Sequence, residues 1–495
     1  MALPQAQLFD ILKDKWTRLN TFYWIIDEHG KRVQLKLNHA QTTLFDEMWY
    51  MNLILKSRQH GFTTFIDIYI LDECLFNDNI EAGIIAHRME DAQKIFRRKI
   101  KYPYDNLPDQ VKDARPLQTD SKSELVFNND SLVYVSTSMR SGTVQLLHIS
   151  EFAYVCAKRP DRAEEIATGS LEAIHPGEIV WIECTAEGSE GLFYDYCDIA
   201  QTSQKMGRQL SKLEFKFFFY AWYQKPENIL EDPVPIPKEL AEYFKKIEVE
   251  VGQTFTDQQK WWYAAKKQLH QDKMFKEHPS VPEEAFAASI EGAYYATQMR
   301  KALEEKRIGV FPFQEGLPVD TWWDLGMDDS MSIWATQEIY NKTQFIWCFE
   351  DSGEGLQYYA DILDKKAQDD KWVFGRHYAP HDIKVRELGT GKSRLESASK
   401  HGLNFEIVDR PERKEDGIQA CRDIFPYCYF DNENCSEGIR ALKNYRKEWD
   451  EKRGTFHNHP LHNWACHFAD AFETFALGHG VDARFGRDDL DEAFK

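Results

Sequence analysis

The chain reads as an α/β protein of two domains, the first built on a doubly wound, mainly parallel sheet. Three observations carry this. An early apolar run, MNLILK (51–56), enters a glycine-bearing loop, and TTFIDIYILDECL (63–75) follows with apolar residues at helical spacing. VQLLHIS (144–150) and EIVWIEC (178–184) are continuous apolar runs of the kind that a parallel sheet buries on both faces. A second strand-rich unit opens at TWWDLGMDDSMSIWATQEIY (321–340), after a proline-rich break.

Each element follows in order. IEAGIIA (80–86) is a strand that leads through His87 and Arg88 into the amphipathic helix MEDAQKIFRRKI (89–100). ELVFNNDSLVYVSTS (124–138) places Asn128, Asn129 and Asp130 between two apolar runs, which predicts a hairpin. The sheet is expected over roughly residues 40–220. PENILEDPVPIPK (226–238) holds four prolines and reads as a linker, and 239–277 is charged and helical. EHPSVPEEAF (277–286) is turn-rich and is expected to precede strands. IWCFE (346–350), a helix near 356–368 and WVFGRHYAPHD (372–382) complete the second α/β unit.

Composition bounds the function. At 495 residues the chain has room for two to four domains. Hydrophobic residues at 42% and aromatics at 14% exclude disorder and a coiled coil. No apolar run reaches the roughly 18 residues of a membrane span, and MALPQAQLFDILKDKW lacks the apolar core of a signal peptide, so a cytosolic protein is expected. Nine cysteines without a C-x-x-C pair fit reduced thiols. The net charge of -20, from 61 basic and 81 acidic side chains, disfavours passive coating of DNA, because duplex affinity comes largely from neutralised phosphates. Local DNA contact stays open, as does a carboxylate-lined metal site bridging to phosphate.

The loop LKSRQHGFTTF (55–65) half fits a phosphate-binding pattern. G-x-x-x-x-G-K-[ST] would place its glycines at Lys56 and Gly61, its lysine at Phe62 and its hydroxyl at Thr63; two of four match. Such a loop needs backbone N–H groups, a mobile cation and a hydroxyl for Mg2+. Lys56 supplies the cation from the front of the loop, Arg58 is a second, and Thr64 stands beside Thr63. Alone, the stretch also reads as a surface turn. VQLLHISEFAYV changes the balance, since ATPases of this architecture end a buried strand with a metal-ordering residue and a glutamate that polarises water, the places held by Ser150 and Glu151. An unpaired carboxylate there would be costly.

With loop and strand in that order, the chain resembles the large terminase subunit of tailed bacteriophages over roughly residues 30–480. The resemblance implies an ASCE-type P-loop ATPase followed by an RNase H-like nuclease. It implies ATP held by Gln41, Lys56, Ser57, Arg58, Gln59, His60, Gly61, Phe62, Thr63 and Thr64, with Gln41, in LNHAQTTLF, reading adenine. Lys56 then contacts phosphate while Phe62 packs, Thr63 and Ser150 order the ATP-bound Mg2+, and Glu151 is the general base, on the strand adjacent to the loop. ECTAEGSEGLFYDYC matches the family's coupling motif through Thr185 and Gly188. Arg140, in SMRSGTVQ, is the candidate for the arginine that reaches a neighbouring subunit's nucleotide, with Arg58 and Arg88 as alternatives.

The nuclease pattern is carried by D-x-G at Asp324, P-H-D at Asp382 and H-x-x-D-A at Asp470. Three carboxylates from separate elements suit two hard ions about 4 Å apart, Mg2+ or Mn2+. Asp328 and Asp329 either support that site or form its turn. GTGKS (389–393) imitates a P-loop, but Arg386 stands at the first glycine and no apolar strand precedes it. The resemblance instead makes Lys392 and Arg394 phosphate contacts, and His467 a support for Asp470 or part of the DNA approach. His457, His459, His462, Cys466 and His467 could suggest zinc, but their spacing is irregular and they surround an aspartate, which argues against it. KIFRRKIK (94–101) reads as a solvated helix face and WWY (261–263) as core packing.

The resulting expectation is an ATPase domain at 1–220 (core from about 35), a helical lid or linker at 221–310, a nuclease at 311–480 and a polar tail at 481–495. The resemblance implies an ATP-driven motor that moves double-stranded DNA into a procapsid and an endonuclease that cuts concatemers. It further implies a ring of subunits docked on the portal protein in the host cytoplasm, with a small terminase subunit as partner. Phe62 and Ser150 also allow another class: a nuclease whose nucleotide site regulates and hardly turns over. A helicase or recombinase is the third reading.

Overall fold

The computed structural model of the chain describes residues 11–493 apart from 140–142, 189–190, 288–291, 327–329, 341, 385–392 and 451–454. The chain divides into two units, Met1–Ala288 and Ser289–Lys495.

In the first unit eight strands form one sheet in the spatial order 215–220, 51–56, 179–184, 146–150, 81–85, 132–136, 124–127, 117–120. Pairs from 215–220 through 132–136 are parallel, and the last two strands join antiparallel. Side chains alternate between faces, as the pleat requires. Leu53, Leu55, Leu147, Ile149, Val180 and Ile182 pack on one face with Phe152 and Phe193. Ile54, Leu146 and Trp181 pack on the other, with Phe65 and Ile66 of helix Phe62–Phe76. That alternation puts His148 and Glu183 on the helix side.

The strand Phe215–Tyr220, FKFFFY, was not read from sequence, yet it flanks the loop strand and pairs Tyr220 with Lys56. The strand 179–184 lies between 51–56 and 146–150, so the strand before Glu151 is not adjacent to the loop strand. Sequence order hides this because the intervening strand comes later in the chain.

Beyond Trp222 the helices Lys238–Val251 and Asp257–His270 pack a small core of Trp222, Phe244, Phe255 and Tyr263. Trp262 stacks on Trp222 with ring centroids 5.8 Å apart, which accounts for the WWY run as packing. The turn-rich stretch before the second unit instead forms helix Pro282–Ala287, with Glu283 and Glu284 in the first turn, where the helix dipole favours acids. The next described helix is Ala296–Glu304; strands resume at Ile308.

The second unit holds a seven-stranded sheet in the order 308–309, 428–431, 342–352, 330–339, 319–324, 374–380, 405–408. Strands 319–324, 330–339 and 342–352 form an antiparallel meander, while 374–380 and 405–408 run parallel to 319–324. This is the strand plan of RNase H, extended at one edge. Trp322 stacks on Tyr378 at 4.0 Å, and Phe475 of helix Ala465–Ala493 meets the same indole edge-on. That helix continues to Ala493, where a polar tail was expected from 481.

Candidate functional site

The loop after strand Met51–Lys56 is shaped by backbone geometry. Gln59 and Gly61 both take left-handed φ, 66° and 80°. Gly61 is required for a second reason: a Cβ there would lie 2.7 Å from Gln41 Nε2. Helix Phe62–Phe76 starts with no side-chain cap, which leaves its first N–H groups to a ligand or solvent. Phe62 is buried against Tyr220, with ring centroids 4.5 Å apart, so the position where a lysine would stand is occupied by core.

Four side chains from three elements converge on one carboxylate, Glu183, which is fully buried near the end of its strand. Lys56 Nζ is 3.0 Å from Glu183 Oε2. Thr63 Oγ1 donates to Oε1 at 2.7 Å, and Ser150 Oγ donates to the same oxygen at 3.0 Å. His148 Nε2 stands 3.5 Å away, with its Nδ1 2.7 Å from Asp67 Oδ1 of the loop helix. Burial opposes the His148 cation, but Asp67 and Glu183 outweigh it and raise the imidazole to about 9. Burial likewise opposes the Glu183 anion, and Lys56 and His148 overcome it, so that this acid stays ionised well below the usual carboxylate range. Glu183 Oε2 is enclosed beside the Lys56 ammonium, an acceptor of the kind to which the O–H of a metal-bound water donates.

Glu151 follows directly in the left-handed region, φ 58° and ψ 37°, costly for a side chain with a Cβ. Its N–H donates to Glu183 O at 3.0 Å. Burial, then the Glu183 charge, raise its carboxyl, while Lys56 and Arg58 lower it, with a net upward shift. A glutamate poised nearer neutrality is suited to take a proton from water.

The other expected residues fall around this centre. Gln41 donates from Nε2 to Gly61 O at 2.8 Å and accepts from Asn38 N at 3.0 Å, so its amide clamps the loop. Ser57 Oγ lies 2.9 Å from His60 Nε2. Arg58 pairs with Glu277 through its side chain and, at 3.0 Å, through its N–H to Glu277 O. The Thr64 hydroxyl accepts from Lys99 at 2.6 Å, so one cation of KIFRRKIK faces the loop helix rather than solvent. Thr185 is buried and Gly188 has φ 96°; between them Glu187 Oε1 pairs with Lys276 at 2.5 Å. Arg88 is exposed at the start of helix Met89–Phe96, and Arg140 lies outside the described residues.

In the second unit Asp324 ends strand Val319–Asp324, Asp382 sits in the turn His381–Lys384 after Phe374–Pro380, and Asp470 rides helix Ala465–Ala493. Two cations that sequence reading did not single out join them. Arg410 NH2 is 3.0 Å from Asp324 Oδ1 and its NH1 4.0 Å from Asp382 Oδ2. Lys414 Nζ is 2.6 Å from Asp470 Oδ1 and 2.7 Å from Glu473 Oε2. Burial, then the Asp470 charge, push Asp324 up to about 7. Asp382 Oδ1 is buried with no hydrogen-bond partner. Among the described residues no three His, Cys, Asp or Glu side chains are gathered as ion ligands. The three aspartates instead face Arg410 and Lys414, which relieve their mutual repulsion. Oxygen-only acids with an orphaned buried lone pair fit hard divalent ions.

His467 Nδ1 stands 4.0 Å from Asp324 Oδ2, while Arg394 donates to Leu325 O and Gly326 O at 3.3 and 3.4 Å, bracing the turn after Asp324. Lys392, Arg386, Asp328 and Asp329 lie outside the described residues. His457 and His459 stack together and face Asp450 and Glu448, and Cys466 Sγ donates to Leu461 O.

Glu183, His148 and Asp67 were the missed residues of the first unit. Glu183 was visible as the lone acid inside EIVWIEC, a strand otherwise apolar, where a carboxylate needs a partner. Arg410, Lys414 and Glu473 carried no local signal.

No protein-family model matches the chain, and no curated protein matches it in sequence. Solved structures do. The large terminase from a thermophilic bacteriophage, in complex with ATP-gamma-S, is 12% identical over 89% of this chain and 98% of that one, with TM-score 0.29. The Thermus phage P74-26 large terminase ATPase domain is 14% identical over 50% and 93%, with TM-score 0.31. The large terminase nuclease domain from bacteriophage SPP1 with bound Mn is 14% identical over 34% and 96%, with TM-score 0.26. Along most of its length, then, the chain is similar to the large terminases of bacteriophages.

Proposed function

We propose that the chain is a DNA-packaging motor subunit: ATP hydrolysis in the first unit drives duplex DNA into a procapsid, and a two-metal endonuclease in the second cuts concatemeric DNA. The observation that carries this reading is the convergence of Lys56 and Thr63 on Glu183, one strand away from Glu151. Lys56 and the N–H groups at the start of helix Phe62–Phe76 would bind the phosphates, and Thr63 with Ser150 would orient the nucleotide's Mg2+. That ion would neutralise charge on the phosphate oxygens. Glu151 would hold the proton of the attacking water. Glu187, tied to Lys276, would link Thr185 and Gly188 to the helical segment.

In the second unit Asp324, Asp382 and Asp470 would hold Mg2+ or Mn2+, which supply an activated water and stabilise the leaving oxygen. Arg410 and Lys414 would turn toward the DNA phosphate as the acids take up the ions. Arg140, Lys392, Arg394 and His467 keep their roles as proposals, as do the portal protein, the small terminase subunit and the ring.

Phosphate release with and without linear duplex DNA tests the motor. DNA-stimulated turnover that vanishes in Lys56→Ala is expected. A flat baseline in the native protein would favour the other reading, a nuclease with a regulatory nucleotide site, to which Phe62 and Ser150 point.

A further inference from the structure

We propose that Glu183 supplies the carboxylate that orders the nucleotide-bound divalent ion, the position at 150 having passed that duty to the neighbouring strand. The inference rests on the nucleotide site proposed above and names a residue which the phosphate-loop pattern does not.

The argument begins with what Ser150 lacks. An ATPase strand of this kind ends in an acid because a divalent ion beside a triphosphate needs a nearby anion to hold its waters. A serine hydroxyl is neutral. Ser150 and Glu183 are Cα partners across parallel strands, and Ser150 Oγ donates to Glu183 Oε1 at 3.0 Å. The hydroxyl therefore points at an anion reaching the same place from the strand beside it. Thr63, the residue expected to meet the ion, donates to that oxygen at 2.7 Å.

The second observation is the partner of the other oxygen. Glu183 Oε2 is fully enclosed and faces Lys56 Nζ at 3.0 Å, the cation expected at the phosphates. One oxygen is thus held by the two hydroxyls and the other by the phosphate-binding lysine, so that a triphosphate which drew Lys56 toward itself would free Oε2 to accept from the waters of its ion.

The third is the support behind it. Asp67 on the loop helix holds His148 at 2.7 Å, and His148 Nε2 stands 3.5 Å from Glu183 Oε1. An acid–imidazole–acid chain running from the loop helix fixes the carboxylate, as outer partners fix metal ligands elsewhere.

The test is the affinity for ATP-gamma-S measured by calorimetry with Mg2+ and again with a chelator. The native protein is expected to bind about tenfold or more tightly with Mg2+. Glu183→Gln is expected to bring that ratio to within about twofold, and Ser150→Asp/Glu183→Gln, which returns the charge one strand over, to restore most of it. If Glu183→Gln folds and keeps the native ratio, the role of Glu183 is overturned while the nucleotide site stands. If the native protein binds no ATP-gamma-S under either condition, the nucleotide site itself fails and the role falls with it. Should Glu183→Gln not fold, the double variant decides: it preserves the pocket's net charge, and a ratio near one there would overturn the proposal.

Discussion

Lys56 Nζ lies 3.0 Å from Glu183 Oε2, a lysine at the mouth of a loop paired with an acid that is fully buried on the next strand. Removing the cation strands the anion. Lys56→Ala is expected to lose about 3–5 kcal/mol of stability in urea unfolding, the usual cost of breaking a buried pair from one side. Lys56→Ala/Glu183→Gln should recover part of it, whereas ATP turnover should stay lost in both. Additive losses would show that the pair is not coupled.

Glu151→Gln removes only the proton acceptor. Steady-state ATP turnover should fall by about 10²–10⁴-fold, and ATP-gamma-S affinity should change little. DNA cleavage by the second unit should persist. Loss of nucleotide binding in this variant would place Glu151 outside the chemistry.

The acids of the second unit predict the reverse separation. Asp382→Ala should abolish cleavage and leave ATP turnover measurable. Mn2+ should raise the melting temperature of the native protein by binding the folded state, and Asp324→Asn should lose that gain. Lys414 pairs with both Asp470 and Glu473, so Lys414→Met should destabilise without Mn2+ and be partly rescued by it, because the ion replaces the missing charge.

Buried neutral imidazoles set an acid limit. Burial lowers His60 to about 3, helped by Lys56, and lowers His278 to about 3, helped by His270; burial alone lowers His377 to about 4. Each ordinary value is 6.5, so between these limits the unfolded chain binds more protons than the folded one. Their contribution is complete above about pH 6.5 and is lost as pH falls toward 3–4. The raised Asp324 takes up its proton in the same window and acts in the opposite sense, so the imidazole contribution is read by difference: in urea midpoints measured from pH 7.5 down to 4.5, His377→Gln, which cannot titrate, should lose less stability with acid than the native protein. An unchanged slope would remove His377 from this account.

Gly438 tests the packing of the second unit. A Cβ there would collide with the indole of Trp334, which is fully buried, and an indole edge has no room to yield. Gly438→Ala is expected to cost about 1–3 kcal/mol, read by chemical unfolding. A neutral result would mean that the helix Ser436–Asn444 shifts freely.

Much of the fold could be read along the chain. The buried strands 51–56, 81–85, 146–150 and 179–184 and the loop helix each announce themselves through apolar runs and period, which are local properties, whereas the three aspartates were picked out by the family resemblance of the short motifs around them. What the sequence could not give is the order of strands in space. Hydrogen bonding across the sheet, and not position along the chain, set strand 179–184 between the loop and Glu151, and so made Glu183 the meeting point of Lys56, Thr63, Ser150 and His148. The same holds for Arg410, in a loop, and Lys414, at the start of helix Lys414–Ile424, whose charges are ordinary along the chain and become decisive only where folding brings them within 3 Å of acids from two other elements. A charge's cost depends on its burial and its partners, and both are properties of the packed chain.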